Sequence, residues 1–106
     1  MNWPNNADGD ALRRLKDEGF DFSTAAEIDF MVDFENWPPP NEAIDLLAKK
    51  FGSVEVYEPE DDDEGYLLVK VCDRVSYELL IHYQDEISLI MGKFRGWCDS
   101  WGVMNG

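Results

Sequence analysis

An α+β fold built on one four-stranded antiparallel sheet is the architecture the sequence predicts, on three observations. Apolar and polar residues alternate over 28–34 and 66–72, the period of a strand with one buried face. Apolar residues recur at intervals of three and four around 44–51 and over 77–94, the period of a helix lying on a core. The patterns interleave as α-β-α-β-β-α-β, which after the leading helix is a split pair of β-α-β units.

The leading helix is short. Asn6 or Asp8 can cap it, Ala11, Leu12 and Leu15 form its stripe, and Gly19 stands where a helix ends. Ile28, Phe30, Val32 and Phe34 then alternate with Asp29, Met31 and Asp33. Trp37-Pro38-Pro39-Pro40 stops this strand and opens the second helix, because the first helical turn does not use the N–H that proline lacks. That helix carries Ile44, Leu47, Ala48 and Phe51 and ends at Gly52. Residues 54–57 make a short strand, 58–64 a hairpin loop and 66–72 the next strand. Ser76 can cap the longest helix, whose stripe is Leu80, Tyr83, Ile87, Ile90, Met91 and Phe94. The tail from Trp97 to Val103 is short, aromatic and β-like.

This order is the ferredoxin-like βαββαβ plan, with a short N-terminal helix before it and two helices on one sheet face. Strands 28–34 and 66–72, the most apolar, belong in the centre. The other face then presents Asp29, Met31, Asp33, Tyr66, Leu68, Lys70 and Cys72 to solvent, to a partner or to the leading helix. Sign alone allows Arg13, Arg14 and Lys16 to lie near Asp29 and Asp33; equally, the leading helix is a solvated one. Without repeats or a dividing linker, residues 1–106 are expected to form a single domain.

Charge narrows the function. The formal net charge is −14, and it is uneven. Residues 35–65 hold ten acids against two bases, most of them in Glu58-Pro59-Glu60-Asp61-Asp62-Asp63-Glu64, while residues 66–106 hold five against four. Direct binding to nucleic acid or an anionic membrane is disfavoured, since phosphate contacts need a basic face. The open face reinforces this: two aspartates stand where RNA-binding sheets stack bases on aromatics. The acidic run reads either as a solvated, extended and mobile loop or as a docking surface for an Arg/Lys-rich segment. No stretch is long and apolar enough to span a membrane, and the start Met1-Asn2-Trp3-Pro4 reads as no signal peptide. Cys72 and Cys98 are expected to be buried free thiols in a reducing cytosol.

Catalytic and metal chemistry find few parts. His82, the one histidine, reads as a rim residue of the long helix, without a Ser or Cys partner to activate. Asn6-x-Asp8-x-Asp10 begins like a calcium loop but has Ala11 at the glycine position. Glu60-x-Asp62-x-Glu64-Gly65 has the glycine, yet Val71 fills the bidentate glutamate position. No cofactor is expected. Trp37, Trp97 and Trp101 are more informative. If Trp97, Asp99 and Trp101 shared one strand face, Cys98 and Ser100 would hold the other, and some aromatic surface would remain near the C-terminus.

Glu18-Gly19-Phe20-Asp21, Glu27-Ile28-Asp29-Phe30 and Val54-Glu55-Val56 resemble the regulator of ribonuclease E activity B (RraB) family. The ending Cys98-Asp99-Ser100-Trp101-Gly102 is similar to that family's Tyr-Asp-Gly-Trp-Gly signature, which Asp99, Trp101 and Gly102 match. The resemblance implies a ferredoxin-like domain and cytoplasmic, non-catalytic proteins that bind the scaffold region of ribonuclease E and restrain RNA decay. The expected function is thus an acidic inhibitor or modulator that binds a protein partner. Trp97, Asp99, Trp101, Gly102, Glu58, Glu60, Asp61, Asp62, Asp63 and Glu64 are its expected partner-binding residues. An immunity or antitoxin-like protein masking a basic toxin is the alternative, and an enzyme using a carboxylate pocket near His82 or Asp99 the third reading.

Overall fold

Asn6 starts the first helix. Its backbone is extended and its Oδ1 accepts the Gly9 N–H at 2.8 Å, which caps α1, Ala7–Asp17. Acids in the first turn and bases in the last complement the helix dipole, and Gly19, at φ +85°, ends it. The computed structural model describes residues 3–61 and 64–103. The remaining elements are β1 (Ala25–Phe34), α2 (Asn41–Phe51), β2 (Val54–Tyr57), β3 (Tyr66–Arg74), α3 (Tyr77–Met91), a 3-10 turn (Gly92–Phe94) and β4 (Gly96–Val103). Ser76 caps α3 by accepting the Leu79 N–H at 3.1 Å. The long helix thus ends three residues early, and a tight turn with Arg95 at φ +59° feeds β4.

The sheet is antiparallel throughout, in the order β2-β3-β1-β4, with β1 and β3 central as expected. Ile28, Phe30, Val32 and Phe34 point to the helices and pack with Leu67, Val69, Leu47, Leu80, Ile87 and Met91 in a closed core. Gly96 allows β4 to close on this core, since a Cβ there would lie 2.6 Å from the Phe34 ring.

α1 does not cover the open face. Leu12 is fully buried in the core, and Asp8 Oδ1 accepts from Trp101 Nε1 of β4 at 2.8 Å and from Gln84 Nε2 of α3 at 3.4 Å. Trp101 faces the helices because it pairs with Phe30, so α1 joins the helical layer beside α3. Its expected neighbours change accordingly: Arg13 binds Asp10 at 2.7 Å and the carbonyl oxygens of Trp3 and Pro4, not Asp29 or Asp33. Burial decided this placement: Leu12 had a core to reach only on the helical side.

A second expectation is also corrected. Both cysteines are free, but only Cys98 is buried; Cys72 is exposed, because its position in β3 belongs to the uncovered face.

Docking of α1 through Leu12 is testable. Leu12→Ala should lower stability by about 2–5 kcal/mol in urea unfolding. A change below about 0.5 kcal/mol, the scale of a surface substitution, would mean that α1 is only appended.

Candidate functional site

One extra residue in β4 decides what the uncovered face presents. Met31 pairs with Ser100 but Val32 pairs with Cys98, so Asp99 has no partner on β1. The bulge reverses the side-chain alternation. Trp97, opposite Asp33, stands on the uncovered face, whereas Trp101, opposite Phe30, turns to the helices. Cys98 faces the core, where burial pushes its thiol up to about 12. The backbone freed at the bulge is held from α3: the Cys98 N–H donates to Ser88 Oγ at 2.9 Å, and that hydroxyl donates to the Cys98 carbonyl at 3.3 Å.

The pairings build the uncovered face in rows. At one end Tyr57 and Tyr66 stack at 4.8 Å, and Trp97, 41% exposed, stands across β1 beside Asp33. Glu55, Leu68, Met31 and Ser100 form the next row, and Lys70, Asp29 and Gly102 the one beyond. Lys70 lies between Glu55 at 3.4 Å and Glu27 at 3.6 Å. Burial raises the Asp33 carboxyl above its ordinary value, and the like charges of Asp99 and Glu64 raise it further. The acidic loop and the tail, separate in sequence, therefore act on one carboxylate of β1.

The loop is held at its base. Trp37 lies against Gly65, where a Cβ would come within 2.5 Å of the indole, and its Nε1 donates to Glu58 at 3.2 Å. The acidic segment is thus held at both ends, at Glu58 and at Gly65. Glu60, Asp61 and Glu64 are exposed, while Asp62 and Asp63 lie outside the described residues. Arg95, at the same end of the sheet, is 3.8 Å from Glu35. None of Asp33, Glu58, Glu60, Asp61, Glu64 or Asp99 pairs with a basic side chain among the described residues.

The residues expected to meet a partner thus divide. Trp97 and Gly102 stand on the uncovered face, and Asp99 lies beside it at the bulge. Trp101 instead fastens α1 through Asp8. Sequence reasoning did not assign Asp33, Tyr57 and Tyr66 to the site; alternation along β2 and β3 would have placed both tyrosines beside Asp33. His82 is exposed on α3, 3.2 Å from Glu86. The residues of the incomplete calcium motif have other partners: Asn6 caps α1, Asp8 holds Trp101, and Asp10 pairs with Arg13. No set of three or more metal-ligating side chains gathers among the described residues, and no helix there is long and apolar enough to cross a membrane.

A family model described as "Regulator of ribonuclease activity B" matches residues 5–103, nearly the whole chain. Among curated proteins, none matches.

The half-buried Asp33 carboxylate gives a pH prediction. A raised folded pKa means that the folded state binds protons more tightly, so stability increases as pH falls through that value toward the ordinary 3.8. At neutral pH the Asp33 charge opposes folding. Asp33→Asn should raise the urea midpoint at pH 7, and the gain should vanish near about pH 4. A loss at pH 7 would reveal a cationic partner for Asp33.

Proposed function

This chain belongs to the regulator of ribonuclease activity B family, and from that membership we propose a non-catalytic regulator that acts by binding a protein. Ribonuclease E is the leading candidate partner, and restraint of RNA decay in the cytoplasm is the outcome. The observation that carries this reading is the convergence around Asp33 of Trp97, the Tyr57–Tyr66 stack and the like charges of Glu64 and Asp99. A protein surface whose carboxylates outnumber its cations and, around Asp33, pair with none of them among the described residues favours a basic partner segment and repels nucleic acid.

The two components have different jobs. Exposed acids in the clamped loop, Glu58, Glu60, Asp61 and Glu64, raise the encounter rate through long-range attraction, which salt screens. Asp62 and Asp63 add to that field by sequence. Trp97, with the tyrosine pair and Asp99, supplies the contact that must desolvate, and tryptophan is a favoured residue for slowing dissociation. Gly102 keeps the middle of the face low, and Trp101 contributes by fixing α1 behind the sheet. Regulation then follows from occupancy of a ribonuclease segment rather than from any bond made or broken by this chain.

Purified ribonuclease E and this protein provide the test, with binding rates measured at low and high salt and RNA cleavage followed in parallel. Glu60→Gln, Asp61→Asn and Glu64→Gln together should slow association roughly tenfold at low salt and much less at high salt. Trp97→Ala should instead speed dissociation on the order of tenfold or more. Binding that is absent, or that ignores both variants, would sink the proposal.

A further inference from the structure

The middle of the uncovered face holds a hollow of about 330 Å³, lined by Asp29, Met31, Tyr66, Leu68, Ser100 and Gly102 among others. Its origin is in the sequence. Gly102 stands opposite Asp29 and the small Ser100 opposite Met31, so β4 contributes little bulk, while Tyr66 and Leu68 of β3 form the far wall. A Cβ built on Gly102 would meet nothing within 4 Å among the described residues, so these leave the space open rather than packing it.

Asp29 is the unusual member. Its Oδ1 is shielded from water and has no hydrogen-bond partner among the described residues, a state that folded proteins seldom keep without a reason. The natural cation would be Lys70, directly opposite on β3, but its ammonium lies with Glu55 at 3.4 Å and Glu27 at 3.6 Å. The Asp29 carboxyl is raised chiefly by burial; Lys70 opposes the shift, and Glu27 and Glu55 add to it. A partly apolar hollow with an undersupplied carboxylate thus calls for a cationic donor with a flat, weakly hydrated head.

We propose that this hollow receives one arginine side chain of the partner protein. The guanidinium donates to the Asp29 carboxylate, and the aliphatic stem crosses Met31 and Leu68 toward Tyr66. Arginine fits better than lysine because its planar head makes directional charge-assisted hydrogen bonds to a carboxylate and sheds water more readily than an ammonium. An uncharged donor would leave the carboxylate charge uncompensated. The inference rests on the reading that this face meets a protein, and it adds which side chain the face selects.

A test on the full chain needs no ribonuclease. The ¹⁵N-labelled protein is titrated with Nα-acetyl-arginine methylamide and with its lysine and citrulline counterparts, following amide shifts by NMR. Saturable shifts at Asp29, Ser100 and Gly102 are expected with arginine, weaker ones with lysine and none with citrulline. Asp29→Asn should weaken the arginine response by about tenfold or more with the rest of the spectrum unchanged, and Asp33→Asn should preserve it. Equal responses to lysine and arginine, non-saturating shifts spread along residues 55–64, or an unaltered Asp29→Asn response would overturn the proposal. Arginine binding without ribonuclease binding would retain the hollow's role and remove the ribonuclease reading. Ribonuclease binding that Asp29→Asn leaves intact, with no arginine response, would do the reverse.

Discussion

The unpaired Asp99 in β4 is the constraint on which the rest of the molecule depends. In a regular strand Trp97 and Trp101 would share a face, and one sheet surface would carry both indoles. With one residue inserted, Trp101 enters the helical layer and donates its indole N–H to Asp8, while Trp97 stays outside. Ser88 makes the insertion affordable by satisfying both the N–H and the carbonyl of Cys98. The direction of Trp101 toward Asp8 and the character of the outer face both follow from the same local irregularity.

That irregularity also separates a closed side of the sheet from an open one. The helical side is closed, with Ile28, Phe30, Val32, Leu47, Leu80 and Ile87 fully buried and Gln84 as its buried polar group, bonded to the Leu80 carbonyl and to Asp8. The outer side keeps features that an optimally stable sheet would remove: a shielded carboxylate oxygen without a donor, a second carboxylate among like charges, and an exposed tryptophan. Such costs gather where a protein uses its surface.

Much of this was legible in the sequence. The alternation of Ile28, Phe30, Val32 and Phe34 and the stripe from Leu80 to Met91 fixed element type and the central strands, because each pattern has one buried face and one period. The residues of the outer face followed from the same alternation. What could not be read was tertiary. A bulge has no periodicity signature of its own, so the opposite directions of Trp97 and Trp101 were invisible. Sign complementarity pointed the leading helix toward Asp29 and Asp33, but burying Leu12 outweighs weak surface pairing. The loop clamp depends on Gly65 lying under Trp37, a contact 28 residues apart in the chain. Convergence of Glu64 and Asp99 on Asp33 likewise arises only when β3, β1 and β4 stand side by side.

The two thiols carry a practical consequence. Only a thiolate attacks an alkylating reagent, and Cys98 combines enclosure with a pKa near 12, so the folded chain offers essentially one reactive sulfur, Cys72 on the outer sheet face. Cys98 becomes reactive only when α3 and β4 part. A maleimide label therefore marks the outer sheet face while the protein is folded, and the arrival of a second label times the opening of its core.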